Sequence, residues 1–131
     1  MAQMLDQAGA HVLVDIGSAG QLLLTPPAMG LATSVPASGS VSSNVIPTNG
    51  NKSFAFGVTS SQAGTVSIQR YIDFAGTIPQ GPALTASLTA ATAAVVNATD
   101  GVPFQAVKVT VTNSGTAAAT LTDTGFLIQS H

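Results

Sequence analysis

The chain has 131 residues, of which only three are basic and five acidic, and its net charge is -2. Charged residues make up 6% of the sequence, against about 25% in typical soluble domains. Three scattered cations cannot neutralise a phosphate backbone or an anionic lipid surface, so we expect neither nucleic acid nor membrane as a partner. All five acids are Asp, and a sequence without Glu lacks the residues that make exposed helices soluble, which disfavours a helical protein.

The apolar residues are numerous but small. Hydrophobic types make up 45% of the chain, and 21 of these residues are Ala, which leaves a thin core of larger side chains. A chain of this length indicates one domain, and so few charges give its surface little protection against association. We therefore expect much of the surface to be covered by other protein. Because there is no Cys, packing or assembly must hold the fold.

Residues 1–52 predict two short strands and a broken connection. The segment His11–Ile16 alternates between two faces, and a turn at 17–20 separates it from a second strand at Gln21–Thr25. The apolar residues on one face of the first strand are Val12, Val14 and Ile16. The connection that follows contains four prolines among Gly, Ser and Asn, and Pro removes backbone donors. We interpret residues 1–52 as an N-terminal extended arm and 53–131 as the folded domain.

From Ser53 onward, apolar and polar residues alternate as in half-buried β-strands. The predicted strands cover residues 54–58, 66–72, 84–88, 93–99, 107–111, 117–122 and 125–129. Turn signals rich in Gly, Pro, Asn and Asp separate them. About seven strands at this spacing predict an all-β fold, an antiparallel β-sandwich of jelly-roll or immunoglobulin-like type.

Several side chains are candidates for the core or for an interface. The phenylalanines alternate as core residues do and are expected inside; they are Phe54, Phe56, Phe74, Phe104 and Phe126. Tyr71 lies on the polar face of its strand, either as an interface anchor or as a ring over the sheet edge. Arg70 shares an apolar face with Ile72, so it needs either a carboxylate partner, Asp73 or Asp123, or a path to water. The candidate interface residues are Val12, Val14, Ile16 and Tyr71.

Few side chains can titrate or bind a metal. The two histidines, His11 and His131, lie near opposite ends of the chain, and no Gly-x-Ser-x-Gly motif marks a nucleophile. The scattered Asp residues form no calcium-binding loop, and no glycine pattern indicates a phosphate loop. Threonines at 110–112 and 120–124 suggest an ice-binding alternative, but Thr is also a good strand former. We predict no enzyme activity, catalytic residue, metal site, cofactor or small-molecule substrate.

Two stretches carry a resemblance to known proteins. They are GTVSIQRYIDFAGTIPQGPALTASLTAATAAVVNATDG at 64–101 and VPFQAVKVTVTNSGTAAATLTDTGFLIQ at 102–129. Together they resemble the small Ala, Thr and Gly-rich β-sandwich virion proteins of tailed bacteriophages, which coat capsids as decoration (cement) proteins or cap tail structures. The resemblance implies a non-enzymatic protein in a multi-copy shell, commonly a homotrimer, and assigns no functional residue.

These observations lead us to expect a virion structural protein, in the first place a capsid decoration protein that stabilises the assembled phage head. Its expected partners are the major capsid protein and copies of itself. The alternative is a tail- or fibre-associated adaptor or receptor-binding domain. The first residues combine no cationic flank with an apolar segment, so we expect no secretory signal and assembly in the host cytoplasm.

Overall fold

The structure, a computed structural model, describes residues 22–24, 29–48 and 53–129. These residues form strands in two antiparallel sheets, which confirms the predicted all-β class. The strands are β1 (Leu22–Leu24), β2 (Ser34–Val35), β3 (Ser40–Ser42), β4 (Ile46–Pro47), β5 (Ser53–Ser60), β6 (Gly64–Tyr71), β7 (Leu84–Leu88), β8 (Thr92–Ala98), β9 (Ala106–Asn113) and β10 (Ala119–Gln129). No described residues form a helix with the length and hydrophobicity of a membrane span.

The strand order identifies the type of sandwich. Sheet I has the order β1-β10-β5-β8 with β2 also beside β10, and sheet II has the order β3-β9-β6-β7 with β4 also beside β9. Strands of the first half therefore pair with their counterparts counted from the end of the chain: β1 and β2 with β10, β3 and β4 with β9, β5 with β8, and β6 with β7. With β1–β2 and β3–β4 each counted as one interrupted strand, this is the pairing of a jelly roll, one of the two predicted types.

The period of two in the sequence places the core between the sheets. Every second residue of β5 is buried, and β6 and β9 follow the same pattern. On the inner face of sheet I, the rings of Phe54 in β5 and Phe126 in the neighbouring β10 stack with centroids 5.2 Å apart. Burying an apolar side chain of this kind contributes about 1.5–3 kcal/mol, so the alternation itself specifies which face of each strand points inward.

Residues 29–48 lie within the sandwich rather than outside it. Four of their apolar side chains are buried in the common core: Met29, Leu31, Val35 and Ile46. Their buried hydroxyl groups bond to the backbone of β9 and of the segment before it, since Ser43 accepts the N–H of Val109 at 3.0 Å and Thr48 donates to the carbonyl of Phe104 at 3.0 Å. The chain follows β10 along sheet I, crosses to sheet II and returns along β9. Whether 53–131 folds without residues 1–52 stays a prediction.

Asn113 fixes the point where the chain crosses between the sheets. Its side chain is buried, and its Nδ2 donates to the carbonyls of Val35, Pro36 and Ala117 at 3.3, 3.2 and 2.8 Å. Its Oδ1 accepts the N–H of Gly115 at 2.8 Å. One side-chain amide thus satisfies backbone groups at the end of β2 and in the β2–β3 and β9–β10 connections. Without it these polar groups would lack hydrogen-bond partners, which destabilises a folded protein where the groups are buried.

The last two predicted strands are one strand in the structure. Residues 119–122 of the first segment and the whole of 125–129 belong to β10, and a register shift between Thr122 and Gly125 separates their pairings with β5. Asp123 has a φ of 50° in this bulge, a conformation that Asp adopts more readily than most residues. The turn signal in the sequence therefore marks a bulge and not a chain reversal.

Candidate functional site

An exposed apolar surface occupies one end of the sandwich. Among the described residues, the large apolar side chains with high exposure are Ile72 (57%), Phe74 (59%), Ile78 (54%), Val95 (57%) and Val102 (41%). All but Val95 lie in the β6–β7 loop, 72–83, or the β8–β9 loop, 99–105. Tyr71 pairs with Ala106, so both loops are at the same end of the sandwich. We call Ile72, Phe74, Ile78 and Val102 the apolar loop end.

Two of these residues correct the sequence interpretation. Ile72 was expected on the inner face of β6 and Phe74 in the core, and both predictions are wrong because β6 ends at Tyr71. The other four phenylalanines are buried as predicted. A usable signal was present in the sequence: an Asp followed by Gly76 and Pro79 is typical of a loop, and it outweighs the hydrophobic alternation.

Asp73 organises the β6–β7 loop. Its carboxylate accepts the N–H of Thr77 at 3.0 Å, the N–H of Ile78 at 2.9 Å and the hydroxyl of Thr77. The hydroxyl of Thr77, followed by the N–H of Ile78, holds the pKa of Asp73 below its ordinary value. The N–H of Ile72 also donates to the carbonyl of Ile78 at 3.1 Å. The polar groups of the loop are thus bonded to one another, while its apolar side chains project outward.

Gly76 allows this loop to lie against residues of the N-terminal arm. Its φ is +69°, and a Cβ atom at this position would be 2.7 Å from Cγ2 of Val45. Glycine adopts the left-handed region at low cost and has no Cβ to clash. The conformation of the apolar loop end therefore depends on a residue type that cannot be exchanged here without displacing the loop or Val45.

Arg70 lies at the base of the apolar loop end. Its guanidinium is buried, and Nη1 donates to both carboxylate oxygens of Asp100 at 2.8 and 3.0 Å. The guanidinium carbon also lies 5.8 Å from the ring centroid of Phe104, within the range of a cation–π contact. A carboxylate partner was one of the predicted alternatives, but the partner is Asp100 and neither Asp73 nor Asp123.

The ion pair fixes the β8–β9 loop. The N–H of Val102 donates to Asp100 at 3.1 Å, so the same carboxylate holds Arg70 and the start of the loop. The hydrogen bond from Arg70 lowers the pKa of Asp100, and the N–H of Val102 adds to this effect. Asp100 is 47% exposed, so solvent screens the pair and its role is mainly to orient the loop.

Backbone and amide hydrogen bonds join the two loops. The side chain of Gln80 donates to the carbonyl of Pro103 at 2.9 Å, and the N–H of Gln105 donates to the carbonyl of Tyr71 at 2.9 Å. Beside these contacts is a shallow hollow of about 170 Å³, lined by Ile72, Pro103, Phe104 and Gln105. Because the loops are already held in place, a partner that docks on them would pay little conformational entropy.

The predicted interface residues are placed only in part. Tyr71 is the last residue of β6, half-buried and bridged to Pro79, so it lies at the base of the apolar loop end. Its role at an interface stays a prediction. Outside the described residues lie Val12, Val14, Ile16, His11 and His131. Within the part of the chain that the structure describes, no three His, Asp or other ligating residues cluster as a metal site.

Comparisons with known proteins find similarity in structure only. No family model matches the chain, and no curated protein does. The chain is similar to the PBSX exported protein XepA, with a TM-score of 0.55 and 15% identity over 98% of this chain and 48% of that one. It is similar to the enzymatically active domain of tailspike protein 4 from bacteriophage CBA120, with a TM-score of 0.51 and 16% identity over 71% of this chain and 14% of that one.

A third similar structure is the CBM36-1 domain of a multidomain xylanase from the hindgut metagenome of Trinervitermes trinervoides, with a TM-score of 0.48 and 10% identity over 82% of this chain and 95% of that one. The chain thus spans about half of XepA and a small part of the tailspike domain. Phage-related proteins are among its structural neighbours, and at these identities the likeness to XepA and the tailspike domain shows the β-sandwich fold.

Proposed function

We propose that the protein is a non-enzymatic structural protein of a phage virion, in the first place a capsid decoration (cement) protein that binds the major capsid protein. The apolar loop end carries this proposal, because it exposes four large apolar side chains on two hydrogen-bonded loops. Several exposed large apolar side chains on neighbouring loops are typical of an interaction site. The carboxylates of Asp73 and Asp100 are engaged by hydrogen bonds within the protein, so we expect a docking partner to bind mainly through shape complementarity and hydrophobic area.

The proposed mechanism is stabilisation of the capsid by binding. A protein that binds only the assembled lattice stabilises it in proportion to its occupancy and affinity. A homotrimer would present three apolar loop ends, and simultaneous engagement raises the avidity without any further contact. This proposal requires no cofactor and no chemical step.

A tail- or fibre-associated adaptor is the second candidate, and the likeness to a phage tailspike domain favours it. The same apolar loop end would then dock on a tail component. The two candidates differ in the number of copies, since a decoration protein is present in hundreds per particle and a tail component in a handful. Quantitative mass spectrometry of purified particles, scaled to the major capsid protein, distinguishes them.

Particle binding tests the docking surface directly. The variant Phe74→Ser/Ile78→Ser removes two exposed apolar side chains without touching the core, so its melting temperature is expected to match the wild type. Each buried apolar side chain contributes about 1.5–3 kcal/mol, so affinity for particles lacking the protein should fall more than about tenfold.

The matched control is Ala90→Ser/Ala118→Ser, two exposed loop positions at the opposite end of the sandwich. It should bind particles as the wild type does. Equal losses in both variants, or undiminished binding by Phe74→Ser/Ile78→Ser, would show that the apolar loop end is not the docking surface.

A further inference from the structure

One edge of the sandwich has none of the usual protection against pairing. Among the described strands, β8 pairs only with β5, and the seven residues Thr92–Ala98 pair with β5 without a register shift. The strand TAAVVNA has no charge and no proline. Its outer face includes Val95, which is 57% exposed. Edge strands usually carry Lys, Pro or a bulge that prevents further pairing, so β8 presents an open row of backbone donors and acceptors.

The opposite edge of the sandwich differs in this respect. There the outer strands of both sheets, β1 to β4, are only two or three residues long. Proline follows or ends two of them, at Pro36 and Pro47. Short, proline-interrupted strands are poor templates for a further strand. Of the outer strands in sheet I, β8 is therefore the one suited to accept another.

The interior is also incompletely closed beside β8. Four apolar residues pack against the core while remaining half-buried, and three of them lie in β7 or β8: Leu84, Ala86 and Ala94. These two strands are the edges of sheet II and sheet I, joined by a short connection at 89–91. An additional strand beside β8 whose apolar face points inward would cover these side chains. The strand that fits must therefore be apolar on alternate positions.

The chain contains one such segment outside the described residues. His11–Ile16 has Val12, Val14 and Ile16 on one predicted face, and it precedes β1, which lies at the far edge of sheet I. Four strand spacings of about 4.8 Å separate β1 from a new position beside β8, or about 19 Å. From Ile16 to Leu22 an extended chain reaches about 21 Å at most. The available length barely exceeds the required one, so the chain could not also form the turn predicted at 17–20. The segment therefore fits the β8 edge of a neighbouring copy better than that of its own copy.

We propose that the protein self-associates by strand addition, with residues 11–16 of one copy pairing with the outer edge of β8 in the next copy. Val12, Val14 and Ile16 would face inward and cover Ala94 and its neighbours, while Leu13 and Asp15 would lie on the outer face beside Val95. Such a contact is head-to-tail, so it closes into a ring if the rotation permits. It gives a structural basis to the homotrimer included in the proposed function. The test uses the isolated protein, so its failure would leave particle docking by the apolar loop end unaffected.

Disulfide trapping tests the pairing, because the chain has no Cys of its own. Two single variants, Leu13→Cys and Val95→Cys, are mixed and oxidised, and covalent products are resolved without reductant. Strand addition places the two outer-face positions within disulfide distance, about 4.4–6.8 Å between Cα atoms, so a mixed dimer should form. Asp15→Cys covers a register two residues away. The matched control replaces Val95→Cys by Ser34→Cys, an exposed position in β2 at the opposite edge of the same sheet. Mixed with Leu13→Cys, it should give no mixed dimer.

Other products would overturn the proposal. Predominant Val95→Cys homodimers would indicate β8-to-β8 pairing. A double variant, Leu13→Cys/Val95→Cys, that forms only an intramolecular disulfide would place the segment on its own β8. Sedimentation of Val14→Pro provides a second measurement, since Pro removes a backbone donor from the added strand. We expect at least about tenfold weaker self-association with an unchanged β-sheet spectrum. A wild-type protein that stays monomeric, or a variant that associates like the wild type, would show that strand addition does not occur.

Discussion

Asp73 and Asp100 make the stability of the apolar loop end depend on pH, because the carboxylates of both residues hold its loops in place. Hydrogen bonds from Thr77 lower the pKa of Asp73, and those from Arg70 and Val102 lower the pKa of Asp100. A carboxylate with a lowered pKa stabilises the folded state fully above its ordinary pKa of 3.8. This contribution is lost as the pH falls through the folded-state pKa, because the unfolded state then binds more protons.

The variant Asp100→Asn should therefore be less stable than the wild type at neutral pH, and the difference should stay constant down to about the ordinary Asp pKa of 3.8 and narrow as the pH falls further. Asn cannot titrate, so the variant has a flatter dependence of stability on pH below the ordinary Asp pKa. Denaturant unfolding at a series of pH values measures the free energy of unfolding for both proteins.

Arg70→Met provides the control, because it removes the main cause of the lowered pKa of Asp100. The double variant Arg70→Met/Asp100→Asn should be little less stable than either single variant, as expected for two residues that interact with each other. A stability difference between Asp100→Asn and the wild type that stays constant across the whole pH range would contradict this assignment.

The identity of the Arg70 partner could not be obtained from the sequence. Its position on an apolar face correctly indicated a need for a carboxylate or water, yet the nearby Asp73 is engaged by Thr77. Asp100 is 30 residues away and reaches Arg70 only because the β8–β9 loop passes the end of β6. Long-range contacts of this kind depend on topology, whereas hydrophobic alternation reports only which face of a strand is inward.

At the scale of whole elements, the sequence predicted β1 and the strands β5 to β9 well, divided β10 in two and missed β2 to β4. Strands β5 to β9 alternate over enough residues for the period to be recognised. Strands β2, β3 and β4 have two or three residues each, too few for any periodicity, and prolines and serines around them suggested an arm. Their pairing with β9 and β10 is a tertiary contact that overrides local composition.

The jelly-roll pairing leads to a prediction about truncation. Deleting residues 1–52 removes β1 to β4 and four buried core side chains, those of Met29, Leu31, Val35 and Ile46. At about 1.5–3 kcal/mol each, their loss approaches the whole stability of a typical domain, about 5–15 kcal/mol. We therefore expect the remaining 53–131 fragment not to fold cooperatively, as measured by circular dichroism and thermal unfolding.

Deleting residues 1–21 is the matched control, because every described strand remains. This shorter truncation should melt cooperatively, with a β-sheet spectrum like that of the full chain. Cooperative folding of the 53–131 fragment would instead support the boundary after residue 52 and show that the strands of the arm are dispensable.

At the scale of the whole molecule, the scarcity of charge connects composition to association. The chain has three cations in all; Arg70 is bonded to Asp100, and Lys108 is half-buried within β9. Electrostatic attraction therefore contributes little to any contact that the described surface makes. Both proposed contacts, the apolar loop end on a particle and residues 11–16 on β8, rely on apolar burial or backbone pairing.

Particle binding should accordingly be insensitive to salt. Ion-pair interfaces weaken as screening increases, whereas apolar burial does not and is strengthened by sulfate. We expect the dissociation constant for particles to change less than about twofold between about 50 and 500 mM NaCl, and to decrease in ammonium sulfate. Co-sedimentation with particles at each salt concentration measures it, and Phe74→Ser/Ile78→Ser should lose the gain in ammonium sulfate. A tenfold or greater loss of affinity in NaCl would mean that charged groups form the contact. Because Ile72, Phe74, Ile78 and Val102 carry no charge, the docking surface would then have to lie outside the apolar loop end.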